Sequence, residues 1–218
     1  MAKMKLYYHP FSSYSQKALI ALYETGTDFE PLNVDGPPDN PVMQELGRIW
    51  PMKRFPVLVD GERTVLEASC IVEYIAPHLI PADPQAALEV RMLDRFFDNY
   101  VSTPQQKLVV DSIRPSDADR DAYGCAEARR MLETSYGWLE QKLGDGREWA
   151  TGGSFTMADC AAAPFLFYAD WTHRIDETKF ANVLAYRRRL LARPSFARAV
   201  DEARKYRHYF PLGAPDRD

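Results

Sequence analysis

The chain has 218 residues, of which 46% are hydrophobic and 27% charged, and its formal net charge is −4. That length accommodates one large or two small domains with ample core, and with no basic excess before or after residue 80 a nucleic-acid surface is not expected. No apolar run approaches the ~20 residues of a membrane span, and Met1-Ala2-Lys3-Met4-Lys5 leads into no apolar leader, so a soluble, cytoplasmic protein is expected. Cys70, Cys125 and Cys160 are scattered without metal-ligand spacing. They read as reduced, mostly buried thiols, and no metal is expected.

In chain order, Lys5 to Tyr8 reads as a strand ended by His9-Pro10. A polar turn follows, Phe11-Ser12-Ser13-Tyr14-Ser15, and then an amphipathic helix from Gln16 to Glu24. Its inward face is Ala18, Leu19, Ala21 and Leu22, and Gly26 is placed to stop it. Phe29 to Val34 is expected as a second strand. Residues 36–52 form an irregular connection with one short helix from Pro41 to Leu46.

The segment 53–76 is the most informative. Phe55 to Val59 is a short apolar run, Asp60-Gly61 is a tight-turn signal and Thr64 to Leu66 resumes β-prone residues, which is the pattern of a hairpin. Pro56 donates no ladder hydrogen bond and so belongs at a strand start or an edge. A cis bond there would turn the Phe55 backbone outward, where its N–H and C=O could pair with an extended peptide. Ala68 to Ala76 is helical, with Ile71, Tyr74 and Ile75 on one face. Glu67-Ala68-Ser69 opens that helix, placing an acid, a hydroxyl and unpaired N–H groups where the helix field is positive. A carboxylate could dock on those N–H groups and an ammonium on Glu67, so a peptide carrying both on one residue fits.

Pro77, Pro81 and Pro84 mark a linker. Helices are then expected over 86–101, 119–143, 157–170, 181–192 and 195–206. In the first of these Leu88, Met92, Leu93, Phe96, Phe97 and Tyr100 form an apolar stripe. Asp94, Asp98 and Glu89 read as its solvated side. In the second, Ala128, Met131, Leu132, Tyr136 and Leu139 point inward. Thr156 and Asp159 have capping-box spacing at the start of the third, with Phe155 and Cys160 as a hydrophobic staple.

Phe55-Pro56-Val57-Leu58-Val59-Asp60-Gly61, followed by Leu66-Glu67-Ala68-Ser69-Cys70-Ile71, resembles the glutathione-binding hairpin and helix of the glutathione S-transferases. Ser154-Phe155-Thr156-Met157-Ala158-Asp159 resembles the N-capping motif of that family's C-terminal domain. The resemblance implies an α/β thioredoxin-like N-terminal domain over 1–77, a linker over 78–85 and an all-α C-terminal helical domain over 86–218 that forms the second-substrate pocket. It also implies glutathione as co-substrate, a small-molecule electrophile, and a homodimer. A cis-proline at Pro56, backbone pairing at Phe55, and Glu67 with the α-helix start at Ala68 and Ser69 would hold glutathione, with Arg54 near its glycyl end. The chain departs from the family at Ala68, where serine is usual, so the carboxylate contact would fall to backbone N–H groups or to Ser69.

A bound thiol must be held as thiolate to react near neutral pH, and a hydroxyl beside a helix N-terminus can do that. Counted back from the first helix, Ser12 matches the active serine or cysteine of the zeta- and omega-like classes, Ser13 the serine of theta-like classes, and Tyr8 falls near the tyrosine of the alpha, mu and pi classes. Ser12 and Ser13 are the candidates for catalysis, with Ser12 placed first. Trp50, Tyr14, Tyr100 and Trp171 could line the electrophile pocket. His9 reads as a loop residue, and His78, His173 and His208 have no partner pattern. Two other activities are compatible with the motifs: a non-catalytic glutathione-binding fold-mate, and a glutathione-dependent isomerase, for which the zeta pattern would have cysteine where Tyr14 stands.

Overall fold

A computed structural model describes residues 3–37 and 39–218; Met1 and Ala2, and Pro38 of the irregular connection read above, lie outside them. Strand β1 (Met4–Tyr8), helix α1 (Ser13–Thr25) and β2 (Phe29–Asn33) form a crossover that pairs β1 and β2 in parallel. Helix α2 (Pro41–Ile49) leads to the hairpin of β3 (Val57–Asp60) and β4 (Arg63–Val65), and α3 (Ala68–Ile75) follows. The sheet order is β2-β1-β3-β4, with β3 antiparallel to both neighbours. This is the thioredoxin-like sheet expected from the sequence.

The tight turn falls one residue later than its sequence signal. Asp60 pairs with Arg63, so the loop is Gly61-Glu62, with Gly61 first at φ 58. A positive φ at the first loop position suits the right-handed strand twist and is natural for glycine. Gly26 stops α1 as expected, in the left-handed conformation at φ 63.

The second half is helical: α4 (Pro84–Phe96), α5 (Thr103–Ser112), α6 (Ala122–Leu143), α7 (Met157–Thr172), α8 (Ala181–Ala192) and α9 (Pro194–Ala203). Helix α4 continues through a π-helical stretch, Phe97–Ser102, directly into α5. The sequence reading had no helix over 103–112. Pro104 looks like a terminator, yet it stands in the first turn of α5, just after the π-helical stretch, and the Tyr100 carbonyl four residues before it accepts from the Ser135 hydroxyl at 2.8 Å instead. Pro84 has the same place in α4, which starts two residues before its expected position. Among the described residues no helix is long and apolar enough to cross a membrane, and no group of side chains could hold a metal ion.

One apolar core joins the halves. Ile20 and Ala21 of α1 and Val72 and Ala76 of α3 pack with Leu93, Phe97 and the α7 residues Ala161 to Phe165. Helix α1 is therefore buried nearly all round. Gln16, Lys17 and Ile20 have no exposed surface, beside the Ala18, Leu19, Ala21 and Leu22 that the sequence placed inward. Helix α7 starts at the expected capping box, and Asp159 is fully buried there. Its carboxylate accepts from the Thr156 N–H at 2.8 Å, the Ala150 N–H at 2.9 Å and the Tyr186 hydroxyl at 2.6 Å.

Several surface readings are corrected. Asp94 and Asp98 are buried, not solvated, and Glu89 pairs with Lys142 at 2.7 Å. Leu88, Met92, Tyr100 and Met131, expected inward, are exposed, and Trp138 is exposed beside Phe96. A helical stripe wider than one face cannot all reach one core. His173 does have a partner, Glu133 at 2.8 Å, far along the chain from any local motif. Cys125 and Cys160 are buried free thiols, but Cys70 is exposed.

Candidate active site

A cavity of about 530 Å³ opens where the loop after β1, the loop before β3 and the start of α3 meet. Ser12 and Tyr14 line one side. Trp50, Lys53, Arg54, Phe55, Pro56 and Val57 line the second, and Leu66, Glu67 and Ala68 the third. The Phe55-Pro56 bond is cis. Pro56 thus stands just before β3, where the missing N–H removes no ladder bond.

Ser12 is the N-cap of α1 and Ser13 its first residue. The Ser12 Oγ accepts from the Ser15 N–H at 3.3 Å. A hydroxyl has one proton besides its acceptor lone pairs, so the Ser12 O–H remains able to donate into the cavity. Ser13 is buried and does not line the cavity. Tyr8 borders a different depression, with Asn33, Glu202 and Tyr206, because strand alternation sends it to the sheet face opposite Tyr7. Burial raises the pKa of the Tyr14 hydroxyl.

Glu67 is exposed and has φ 66, and Lys53 has φ 50. Two non-glycine residues in the left-handed region on one cavity wall are a mark of function more often than of packing. Glu67 makes no side-chain cap on α3, so the first N–H groups of that helix have no side-chain acceptor. The wall therefore presents backbone donors, one carboxylate and two cations within one cleft. That set suits a zwitterionic peptide with a further carboxylate at its other end.

The profile of the glutathione S-transferase N-terminal domain matches residues 2–77, and that of the glutathione S-transferase C-terminal domain matches residues 117–189. The chain belongs to the glutathione S-transferase family. Like this chain, a glutathione S-transferase from Methylobacterium radiotolerans, solved with glutathione sulfonate, has both parts. It is 29% identical, with a TM-score of 0.78 over 91% of this chain and 95% of that one. The maleylacetoacetate isomerase of Rattus norvegicus is 25% identical over 202 residues, covering 89% of this chain and 90% of its own. A stringent starvation protein A homolog of Coxiella burnetii is 25% identical over 207 residues, covering 92% of each.

Against the family pattern, Arg54, Phe55, Pro56, Glu67 and Ala68 all come together on the cavity wall. Ser69 does not. Its Oγ accepts from Lys17 Nζ at 2.8 Å and donates to Asp94 Oδ2 at 2.7 Å. The hydroxyl next to the glutathione S-transferase Ala68 position is thus tied into the interior and is not offered to the cavity. Lys17 also pairs with Asp94 at 2.7 Å and Asp98 at 2.9 Å, and Arg95 closes the cluster from the solvent side at 2.5 Å from each carboxylate. Burial raises the pKa of Asp98, and Lys17 opposes that shift. This ionic cluster under the start of α3 escaped the sequence reading. Its local trace is a single lysine, Lys17, at the edge of the apolar run Ala18 to Leu22.

Of the aromatic candidates, Trp50 and Tyr14 line the cavity. Tyr100 lies on the outer surface, and Trp171 packs edge-on against Tyr168 and Phe210 in the helical core. Gln106 of α5, the helix missed in the sequence, completes the cavity.

Proposed function

We propose that the cavity binds glutathione and that Ser12 holds its sulfur as thiolate for attack on an electrophilic small molecule. One observation carries this reading. Ser12 is fixed as an N-cap by the Ser15 N–H, and its remaining O–H borders the same cavity as Pro56, Glu67 and Ala68. A hydroxyl donor and the positive end of α1 both favour the charged sulfur. In the reaction the thiolate forms a C–S bond to the electrophilic carbon as its leaving group departs. The thiol proton goes to solvent, so no general base is required.

In this reading the Phe55 backbone pairs with the cysteinyl part of the peptide, and Arg54 with Lys53 takes the glycyl carboxylate. Glu67 takes the γ-glutamyl ammonium, and the α3 N–H groups take its carboxylate. With Ser69 engaged by Lys17 and Asp94, the backbone carries that carboxylate without a side-chain hydroxyl. The electrophile then lies toward Tyr14, Trp50 and Gln106.

Calorimetry with glutathione and a chloro-dinitrobenzene conjugation assay test the proposal together. Saturable binding with turnover supports it. Absence of binding overturns it, and binding without turnover to any conjugate indicates the non-catalytic fold-mate. The similarity to a maleylacetoacetate isomerase makes cis–trans isomerisation of a small diketone acid the activity to assay beside conjugation. The exposed Leu88, Met92, Met131 and Trp138 on α4 and α6 favour a homodimer, which light scattering on the purified protein would measure.

A further inference from the structure

The loop that presents Ser12 is held by two side chains: Gln16 Nε2 donates to the Pro10 carbonyl at 2.9 Å, and His9 holds the residues on either side. The His9 carbonyl accepts the Ser12 N–H at 3.0 Å, and the His9 Nδ1 accepts the Phe11 N–H at 3.1 Å. A ring nitrogen that accepts carries no proton, so the neutral imidazole has its hydrogen on Nε2. That nitrogen faces Asp35 Oδ1 at 3.5 Å, and Asp35 accepts from the Tyr209 hydroxyl at 3.2 Å. The His9 N–H donates to Ser15 Oγ of α1 at 3.3 Å. Tyr206 and Tyr209, from the 3-10 turn after α9, pack on the ring with centroids at 4.7 and 6.0 Å. The ring is thus enclosed by the segment after β2, the start of α1 and the last helical turn. Asp35 is the charged group that faces it from these elements, and only 14% of the side chain reaches solvent.

We infer that His9, as the neutral Nε2–H tautomer, is a positioning residue that holds Ser12 at the cavity, and that protonating it loosens the loop at Phe11 and Ser12 while Gln16 still holds Pro10. A second proton can go only to Nδ1. It would turn the acceptor of the Phe11 N–H into a donor, so that two donors meet and the amide loses its partner. Asp35, which faces Nε2 at 3.5 Å, favours the charged ring but lies on its other side and offers the Phe11 amide no acceptor. The Phe11 amide adjoins the Ser12 amide, so the loss is felt one residue from the reacting hydroxyl.

The direction of titration agrees with this geometry. Burial lowers the His9 pKa, and Asp35 opposes without reversing it. A histidine depressed in the folded state contributes order that is present above the ordinary imidazole range and lost as pH falls through its folded pKa. The loop is therefore held at neutral and alkaline pH and loosens on acidification.

The catalytic consequence rests on the proposed role of Ser12; the structural one does not. The test is a nitrogen-15 titration of the full chain without glutathione, from mildly alkaline to about pH 5. It follows the His9 ring nitrogens and the Ser12 amide in the natural protein and in His9→Asn and His9→Ala. The asparagine Oδ1 can take the place of Nδ1 as acceptor and cannot be protonated. In the natural protein Nδ1 should be unprotonated at alkaline pH, and the Ser12 amide should shift with the His9 midpoint. In His9→Asn that shift should vanish. In conjugation, His9→Asn should keep its kcat at acidic pH where the natural enzyme loses it. His9→Ala should lose about ten-fold in kcat at every pH, the effect of one lost ordering hydrogen bond, with KM for glutathione little changed. A protonated Nδ1 at alkaline pH overturns the inference, as does a Ser12 amide whose titration is the same in His9→Asn. If the Ser12 amide follows His9 but no variant conjugates at any pH, the latch stands and the transferase reading fails.

Discussion

Lys17 Nζ lies 2.7 Å from Asp94, and no part of the lysine side chain reaches solvent. Lys17 belongs to α1 and Asp94 to α4, so this pair joins the thioredoxin-like half to the helical half directly under the start of α3. Ser69 bonds to both partners. The start of α3 and the interdomain core are therefore held by the same charge.

Replacing one member should be costly. Lys17→Met leaves Asp94 and Asp98 with Arg95 on their solvent side but without the buried cation, and truncating one partner of a buried pair costs about 3–5 kcal/mol. Thermal denaturation should show a melting temperature lower by on the order of 10 °C. The triple variant Lys17→Met, Asp94→Leu, Asp98→Leu should recover most of that stability, because the one charge it leaves unpaired, Arg95, is half exposed to solvent. Equal melting temperatures for Lys17→Met and the natural protein would refute the pair's structural role.

The three hydroxyl candidates separate by position. Ser12→Ala should reduce kcat/KM for conjugation by about 10²-fold or more, the usual effect of removing one preorganised donor. It should also cost about 1 kcal/mol of stability through loss of the N-cap. Ser13→Ala and Tyr8→Phe, whose side chains do not border the cavity, should leave turnover essentially unchanged. Steady-state kinetics on the three variants decides the assignment.

At the other end of the cavity, Glu67→Gln removes the carboxylate offered to an ammonium. A hydrogen bond to a charged group contributes about 1.5–3 kcal/mol, so the Kd for glutathione should rise by about 10- to 100-fold. Ala68→Ser restores a hydroxyl on the cavity wall. Calorimetry should find glutathione bound about five-fold more tightly, one additional hydrogen bond's effect. An unchanged Kd in both variants would place the γ-glutamyl end elsewhere.

Asp159 offers a test of the helical half alone. Burial pushes its carboxyl pKa up, while the N–H donors of Ala150 and Thr156 and the Tyr186 hydroxyl hold it down. Asp159→Asn turns one acceptor oxygen into a donor among donors, so the isosteric change should cost about 2–5 kcal/mol, nearly as much as Asp159→Ala. Chemical denaturation of the two variants measures this directly. A neutral result for asparagine would mean that the site tolerates a donor.

What the chain declares by itself is written in residues a few positions apart. Pro56 before an apolar run, Gly61 at a hairpin turn, Gly26 after α1 and the Thr156–Asp159 capping box each act through local backbone geometry. The order of elements in the first half and the place of the cavity follow from them, although α5, which completes that cavity with Gln106, does not. The rest depends on elements that meet only after folding. Ser69 meets Lys17 across 52 residues and Lys17 meets Asp98 across 81, so neither the burial of those charges nor the withdrawal of Ser69 from the cavity has a local signature. The same holds for Tyr8 and Ser12, close in sequence yet on different surfaces, because strand alternation and the start of α1 turn them apart. Spacing along a chain specifies which backbone conformations are favoured; which side chains share a low-dielectric interior is settled by the packing of helices onto one another.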